Sequence, residues 1–403
     1  MQAKPKVKIL LVCSVSPFAQ TSGAAQRSLL IYQALSALGE VDVIEIQCGA
    51  QTKLIWDQAH SILKLTLASR FWHAWWPHRE LNRQIESQLG QSLADYHLVV
   101  GRYVWPISQL AIPHHVPTLV DLDDFKYRYS NQLSWTPALA VSALKKYFAY
   151  WHNRLLLRRF AGAFFVCQRD QVATNWLPSR ILPNIVCQQS EQQSAQAPSA
   201  VPAKPRLLFV GSLWYQPNIV AVDWFLTQVL PLIRAQVADV EVMLVGAAPQ
   251  ARREKWQQVE GVLAPGFVES LAQAYQHASA VIAPVLMGGG SNIKVLEAIA
   301  YGKPCVTTSI CSDAFAPYLT PDETLLVADK PDDFAALCIS TLNESEAMQG
   351  RISKGQAVLA QYYHPNQFQQ TCQQLAQGLL SPVLAANQQV TPMQHKNISD
   401  RCD

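Results

Sequence analysis

The chain has 403 residues, of which 49% are hydrophobic and 15% are charged, and its formal net charge is +3 at pH 7. This length exceeds what one ordinary hydrophobic core can bury, so we predict two domains. The small net charge and the lack of a long Lys/Arg run argue against a nucleic-acid partner. No segment approaches the roughly 18 unbroken apolar residues of a membrane span.

The nine cysteines show neither C-x-x-C nor the Cys/His spacing of a zinc site. Four of them lie within or beside apolar runs, namely Cys13, Cys167, Cys305 and Cys338. This pattern indicates reduced, mostly buried thiols in a cytoplasmic protein. A disulfide framework or a metal site is the less favoured alternative.

The N-terminus, MQAKPKVKILLVCSV, has the lysines of a signal peptide, but its apolar run is short and no clear cleavage site follows. We predict a first buried strand here. Further strands are predicted in the first half at 41–46, 97–103, 116–122 and 162–167. In the second half they are predicted at 206–211, 241–246, 261–265, 279–284, 304–308 and 324–328.

These strands are continuous apolar runs, as expected for strands that are covered on both faces. Amphipathic helical stretches separate them, which implies right-handed crossovers and parallel sheets. The predicted fold class is therefore α/β, with two Rossmann-like, doubly wound parallel-sheet domains facing a cleft. Ligands in such sheets bind at the carboxyl ends of the strands.

Composition sets the predicted domain boundaries. The Gln/Ser/Ala/Pro-rich stretch 188–205 reads as a linker between an N-terminal domain, 1–187, and a C-terminal domain, 206–365. A last helix is predicted at 366–385, packing back toward the N-terminal domain. Residues 386–403 read as a disordered tail.

The stretch MGGGSNIKVLEAIAYGKP, which begins at Met287, follows a predicted strand with three glycines and a helical pattern. Ser291 is a good N-cap residue, and Ile293, Leu296 and Ala300 form an apolar stripe that ends at Gly302. Backbone amides at such a helix start form an anion site, most naturally for a diphosphate.

Two ionisable residues follow in that helix. Lys294 adds a positive charge for the anion, and Glu297 can accept hydrogen bonds from vicinal hydroxyls such as those of a ribose. The alternative is structural, because glycine-rich turns before helices are common and a Lys/Glu pair at i,i+3 often does no more than stabilise a surface helix.

The same stretch resembles the donor-site signature of family 4 glycosyltransferases, G-x-G-x-x-x-K-x-x-E-A-x-A-x-G-x-P-V-V. Segments 209–233 and 264–284 resemble the parts of the family's C-terminal domain that precede this signature. The stretch LPNIV at 182–186 resembles the PN stretch near the domain junction. Segment 16–35 resembles the glycine-containing loop and first helix of the N-terminal domain. The resemblance is specific around 206–308. It implies a GT-B fold, a nucleoside-diphosphate sugar as donor substrate, no separate cofactor or metal, and retention of anomeric configuration.

The resemblance also implies site residues. The ribose would bind Glu297, and the diphosphate would bind the amides of Gly290, Ser291, Asn292 and Ile293. Phe267 and Val268 would line the base, while Gly211 and Gly246 would let strand ends approach the nucleotide. The acceptor side would include Gly23, Arg27 and Arg102.

Two departures from the family pattern stand out. Gly289 occupies the position where relatives keep a carboxylate that contacts the transferred sugar, which leaves the sugar open. The segment SLWYQPN after Gly211 lacks the family's Arg and Lys, so Lys294 is the best remaining cation for the leaving group.

A carboxylate cluster, Asp121, Asp123 and Asp124, follows a strand of the first half in VDLDDFKYR. Acceptor binding or proton acceptance by Asp121 or Asp123 is the favoured interpretation. The alternatives are loop capping and a D-x-D metal site, although the donor signature lies in the other half of the chain.

Aromatic and basic residues concentrate in 69–84 and 144–160. They favour either helix packing with a solvated basic face or peripheral association with the inner face of the cell membrane. The latter would give access to a lipid-linked acceptor.

We therefore expect a glycosyltransferase that acts on a glycan or lipid-linked acceptor in cell-surface polysaccharide or glycolipid synthesis. One alternative is a catalytically inactive GT-B-like subunit that assists a partner transferase. A nicotinamide dehydrogenase is disfavoured because no G-x-G-x-x-G follows a predicted strand.

Overall fold

The computed structural model describes residues 7–19, 23–68, 79–123, 157–186, 204–288, 291–342 and 346–389, except 173, 175 and 322, together with 151 and 155. Several sequence predictions therefore lie outside the described residues. They concern Asp124, Gly289, Gly290, most of the two aromatic and basic stretches, most of the linker and nearly all of the tail. Membrane association through those stretches stays a prediction.

The first sheet has eight strands in the order β3-β4-β2-β1-β5-β6-β7-β8. They are β1 Lys8–Cys13, β2 Glu40–Gly49, β3 Lys53–Asp57, β4 Ile62–Ala68, β5 Leu98–Arg102, β6 Thr118–Leu122, β7 Gly162–Phe165 and β8 Ser179–Ile181. All pairs are parallel except β3 with β4. The described helices of this half are α1 Gly23–Ser36, α2 Arg79–Leu89, α3 Val104–Ser108 and α4 Gln168–Val172.

The second sheet has six parallel strands in the order β11-β10-β9-β12-β13-β14. They are β9 Arg206–Val210, β10 Glu241–Val245, β11 Val262–Gly266, β12 Ala280–Ala283, β13 Cys305–Thr307 and β14 Leu326–Val327. Its helices are α5 Gln216–Trp224, a π turn at Phe225–Val229, α6 Leu230–Arg234, α7 Gln250–Gln257, α8 Leu271–Gln276, α9 Ile293–Ala300, α10 Ser309–Ser312, α11 Pro331–Thr341 and α12 Glu346–Tyr362.

Both faces of the central strands of each sheet are covered, which is why these strands read as continuous apolar runs. In β1, Ile9 and Leu11 belong to one buried cluster, while Leu10 and Val12 belong to another on the opposite face. The predicted α/β fold with two Rossmann-like domains is confirmed by the two sheets and by the solved structures compared below.

The sequence predicts no strand between 46 and 97, and this prediction is wrong at β3 and β4. These strands form an antiparallel hairpin at the edge of the first sheet. In β4, buried Leu63 and Leu65 alternate with partly exposed Lys64 and Thr66, so a search for continuous apolar runs overlooks it.

The last helix, α13 Pro365–Gln389, follows the second domain but packs against α1 of the first. Its Phe368 and Cys372 are buried in the same cluster as Ile31 of α1. Gln373 Nε2 donates to Ala34 O at 3.3 Å. Even this 25-residue helix is too polar to cross a membrane, and the other described helices also lack a suitable span.

Candidate active site

Both sheets have a switch point, where the strands on either side of a central strand are wound in opposite directions. It lies between β1 and β5 in the first sheet and between β9 and β12 in the second. Ligands of open α/β sheets bind in the crevice outside such points. Residues at the carboxyl ends of the strands around these two points form the two halves of the candidate active site.

The donor half is built on α9, which follows β12. Its N-cap is Asn292, not the predicted Ser291, and the Asn292 side chain makes no capping hydrogen bond. Asn292 therefore leaves the amides of the first turn uncapped, as an anion site requires. The Ser291 hydroxyl instead accepts a hydrogen bond from Asn184 at 3.0 Å.

The C-terminal end of α9 was predicted correctly. Gly302 adopts a φ of 67°, its amide donates to Ile299 O, and the Lys303 amide donates to Ala298 O. This Schellman pattern needs a residue that tolerates positive φ. The predicted apolar stripe was only partly right, because Ile293 and Ala300 are half-buried while Val295, Ala298 and Ile299 are buried. Lys294 is buried as well, so α9 is enclosed on more than one side.

Lys294 is held by two residues of the neighbouring elements. Its Nζ donates to Asn218 Oδ1 at 3.0 Å and lies 4.2 Å from the centroid of the Phe209 ring. Burial lowers the pKa of Lys294 to about 8, although the nearby Glu297 works in the opposite direction. Lys294 is therefore not part of a surface ion pair with Glu297.

Glu297 lies one turn further along α9 and is half-buried. It accepts a hydrogen bond from the Tyr275 hydroxyl at 2.6 Å. Burial raises the pKa of Glu297 against the opposing effects of Tyr275 and Lys294. The Tyr275 ring stacks on Tyr301 with centroids 4.6 Å apart, which fixes the phenol that positions this carboxylate.

Gly211 and Gly246 end β9 and β10 in close contact with each other. A Cβ on Gly246, whose φ is 139°, would lie 1.8 Å from Gly211 O. A Cβ on Gly211 would lie 2.9 Å from Asn218 Nδ2 and 3.3 Å from Lys294 Nζ. Both glycines are thus required by the protein's own packing, in addition to the predicted approach of a nucleotide.

Phe267 and Val268 follow β11 at the same end of the sheet. Phe267 is 78% exposed, and Val268 is half-buried. A large aromatic ring left in solvent beside the donor half is available to a ligand such as a base.

The N-terminal half of the site is a buried ion cluster. The Arg27 guanidinium donates to both oxygens of Asp121, at 2.9 and 2.6 Å, and Arg102 Nε lies 3.2 Å from Asp121 Oδ2. The Asp121 side chain has no exposed surface. Asp121 therefore positions the two arginines, and its predicted contact with an acceptor hydroxyl is disfavoured by this burial.

Asp123 is the accessible carboxylate of the cluster, with 17% of its side chain exposed. Its Oδ2 accepts from Arg102 Nη2 and from the Tyr103 hydroxyl, both at 3.2 Å. Burial raises the pKa of Asp123, but the charges of Arg27 and Arg102 and its hydrogen bonds outweigh burial, and the net pKa is lowered. An ionised Asp123 suits the binding of a hydroxyl better than proton acceptance, since a weakly basic group is an inefficient general base. Arginine pairing of both carboxylates also disfavours the D-x-D metal alternative.

Asn184 joins the two halves of the site. Its Oδ1 accepts from Arg27 Nη1, and its Nδ2 donates to Asp123 Oδ1 and to Ser291 Oγ, each at 3.0 Å. The sequence analysis did not predict a role for this residue. The signal was the LPNIV stretch, but only the tertiary structure shows what its amide contacts.

A second contact crosses the cleft at the starts of two helices. Gly23, the first residue of α1, faces Ile293 so closely that a Cβ there would lie 2.9 Å from Ile293 Cδ1. Of the predicted acceptor-side residues, Gly23 thus approaches the donor half directly and Arg27 is linked to it through Asn184. Arg102 lies one step further away, since it contacts Asp123 rather than Asn184.

Comparison with known proteins identifies the second domain. Residues 204–344 match the profile of the family described as Glycosyl transferases group 1. No curated protein matches the chain.

Solved structures match over nearly the whole chain. A sucrose-phosphate synthase from Thermosynechococcus elongatus has a TM-score of 0.65 at 17% identity, and the match covers 94% of this chain and all of that one. A trehalose 6-phosphate synthase from Burkholderia multivorans has a TM-score of 0.62 at 11% identity, with 95% and 99% covered. An Anabaena HepE structure in complex with UDP and glucose has a TM-score of 0.59 at 12% identity, with 93% and 100% covered.

The fold, the paired switch points and the family match define the class. The chain has a GT-B architecture and carries a domain that matches glycosyl transferases group 1, which supports a transferase. Its second domain is of the Glycosyl transferases group 1 type, and the uncapped start of α9 lies within that domain.

Proposed function

We propose that the protein transfers a sugar from a nucleoside-diphosphate sugar to a glycan or lipid-linked acceptor with retention of configuration. We propose that this reaction is of the family 4 type and belongs to the synthesis of cell-surface polysaccharide or glycolipid. The single observation that carries it is the donor half on α9, which combines uncapped amides, a buried lysine and a half-buried glutamate.

Each part of the donor half matches one part of such a donor. The amides of Ser291, Asn292 and Ile293 and the charge of Lys294 suit a diphosphate, whose negative charge grows as the sugar leaves. Glu297, oriented by Tyr275, suits a ribose diol, since an ionised carboxylate accepts two hydrogen bonds. The exposed ring of Phe267 suits the base.

The ion cluster of the N-terminal half supplies orientation for an acceptor. Asp123 is ionised and partly exposed, so it can hold a hydroxyl near the anomeric carbon. Holding two reactants together in this way removes much of the entropic barrier to transfer. Asn184 connects this carboxylate to the donor loop, the segment at Ser291 that precedes α9.

The test starts from a thermal-shift screen of the wild-type protein against UDP-, GDP- and ADP-sugars, because a ligand of the folded state raises the melting temperature. The UDP bound in the Anabaena structure makes UDP-sugars the first choice. Donor turnover is then measured for Glu297→Gln, with Glu254→Gln as the matched control on an exposed carboxylate. The anomeric configuration of the product is read by proton NMR.

We expect Glu297→Gln to lower kcat/KM for the donor by roughly 100-fold, because a charge-assisted contact to the ribose is lost, and Glu254→Gln to match the wild type. Wild-type turnover in Glu297→Gln would refute the role of Glu297. An inverted product would refute retention.

The absence of an Arg/Lys pair in 212–218 and the glycine at position 289 favour a second candidate, the inactive subunit that assists a partner. This candidate predicts nucleotide-sugar binding without turnover. Release of the nucleotide from the donor, with and without added acceptor, separates the two functions.

A further inference from the structure

One face of the first sheet changes from apolar to polar along β2 and β4. Val43 and Ile62 are paired across these strands and buried in the core beneath α1. The same face continues with the pair Glu45–Lys64, where β1 ends, and with the pair Gln47–Thr66 beyond it. A sheet face that only served the core would stay apolar here.

These polar residues line a cavity of about 370 Å³. Strands β2, β3 and β4 form its floor, and Ser16, Phe18 and Ala19, from the loop between β1 and α1, line it from above. The volume lies within the roughly 300–1,000 Å³ of small-molecule sites. The cavity lies outside the donor half and outside the ion cluster.

The charges in the cavity leave one carboxylate in excess. Lys64 Nζ lies 2.7 Å from Asp57 Oδ2, and the hydrogen bond from Lys64 is the main cause of the lowered pKa of Asp57. Glu45 is buried, and its Oε1 accepts from the Ser16 amide at 3.2 Å and from Gln47 Nε2 at 2.7 Å. A buried carboxylate held in place by two donors disfavours a second anion nearby.

The remaining lining is largely aromatic and aliphatic. Phe18 stacks on His60 with centroids 5.2 Å apart and an interplanar angle of 17°, and it also packs edge-on against Tyr32. Ile55 lines the same cavity and is 44% exposed. A few fixed polar groups beside an apolar surface suit a sugar, which has C–H faces and a rim of hydroxyls.

We propose that this cavity is a binding subsite for an uncharged sugar unit of the acceptor, away from the reacting hydroxyl. It rests on the proposed function and narrows the acceptor to a glycan with a neutral unit at this position. In the strand order, three spacings of about 4.8 Å separate β2, which carries Glu45, from β6, which precedes Asp123. The occupant is therefore a unit further along the acceptor than the one that receives the sugar.

The experiment uses the full chain and saturation-transfer NMR with defined probes. The probes are the neutral trisaccharides maltotriose, cellotriose and laminaritriose, and the anionic trigalacturonate of the same length. The variants are Glu45→Gln, which removes the excess charge, and Gln47→Trp, which fills the cavity from an exposed strand position. Glu80→Gln, at an exposed position of α2, is the control for loss of one negative charge.

We expect at least one neutral trisaccharide to bind and trigalacturonate not to bind. Glu45→Gln should weaken the neutral probe by about tenfold, since a charge-assisted hydrogen bond is lost. Gln47→Trp, if its melting temperature shows it folded, should abolish the signal. Glu80→Gln should behave as the wild type.

Equal binding of trigalacturonate, or an unchanged signal in both cavity variants, would overturn the subsite. The thermal-shift screen with nucleotide sugars keeps the two proposals separate. If nucleotide sugars bind and no neutral trisaccharide does, the subsite fails and the proposed function stands. If no nucleotide sugar binds, the proposed function fails, and the subsite fails with it as part of an acceptor site.

Discussion

Lys294 and Glu297 lie one helical turn apart on α9, and burial shifts the pKa of each toward the neutral form. The pKa of Lys294 falls to about 8, and that of Glu297 rises. Groups in this state gain most from a ligand that supplies the missing charge or hydrogen bonds, which is why perturbed pKa values concentrate at functional sites. A diphosphate would do this for Lys294, and a ribose diol for Glu297.

Donor binding should depend on pH through Lys294. Protonated Lys294 binds a diphosphate better, so a bound donor raises its pKa above the value of about 8 in the free protein. We expect nucleotide-sugar affinity to be constant below about pH 7 and to fall above about pH 8, by up to about tenfold per pH unit. Isothermal titration across this range measures it. Lys294→Met should bind more weakly and show a flat profile, and a flat wild-type profile would contradict the role of Lys294.

Lys294 should also make the stability of the protein depend on pH, with a rise at high pH where donor affinity falls. Its pKa is 10.5 in the unfolded chain and about 8 in the fold, so the unfolded state binds more protons between these values. The free energy of unfolding should therefore rise as pH increases from about 8 to about 10.5. Lys294→Met should remove this rise and stabilise the protein at pH 7 by about 1–3 kcal/mol. Urea denaturation of both proteins at several pH values is the measurement, and a less stable Lys294→Met protein would count against the burial argument.

At the scale of elements, the ends of β9 and β10 set how closely α9 and its lysine can approach the sheet. Gly246→Ala forces a Cβ onto the Gly211 carbonyl at a φ that disfavours side chains. We expect a loss of roughly 3 kcal/mol or more in the free energy of unfolding. Chemical denaturation measures it.

The control for that substitution is Gly350→Ala within α12. Gly350 is exposed, and no atom lies within 4 Å of an added Cβ. The same chemical change should therefore stabilise the protein by about 0.5–1 kcal/mol. Two variants of equal stability would show that the strand-end contact has been overestimated.

At the scale of the whole molecule, Asn184 connects the ion cluster of the first domain to the donor loop of the second. Arg169 of α4 adds a further hydrogen bond to Ile310 O, at 3.0 Å, in α10. Helix α13 meanwhile follows the second domain and packs on the first. The two halves of the candidate active site are thus joined by specific side-chain and backbone contacts between the domains.

We expect Asn184→Ala to lower kcat by roughly tenfold or more while changing nucleotide-sugar affinity little, because positioning across the cleft is lost rather than a donor contact. Ser291→Ala removes the interdomain hydrogen bond alone. Combined in a double-mutant cycle, the two changes should couple by about 1 kcal/mol. Additive effects on kcat would show that the Asn184–Ser291 contact does not act in transfer.

Much of the fold could be predicted because a strand covered on both faces must be apolar at every position. That rule located strands such as β1, β9 and β12 to within one or two residues. It failed at the β3–β4 hairpin, which has a partly exposed face, and at the three-residue β8, which is too short for a pattern. The donor loop could be predicted because glycines, a helix and its C-terminal Gly302 are adjacent in the chain.

The sequence by itself determined the fold class and the segment that starts α9, since both follow from local periodicity and backbone chemistry. Only the tertiary structure decided how the charged groups are used. In the folded chain Arg27 pairs with Asp121, and Asp123 stays partly exposed. Lys294 donates a hydrogen bond to Asn218, and Asn184 lies between the domains. Partners such as Arg27 and Asp121 are 94 positions apart, and no local pattern encodes which distant side chain neutralises a buried charge. The cost of burying an unpaired charge fixes these partners once the chain is folded.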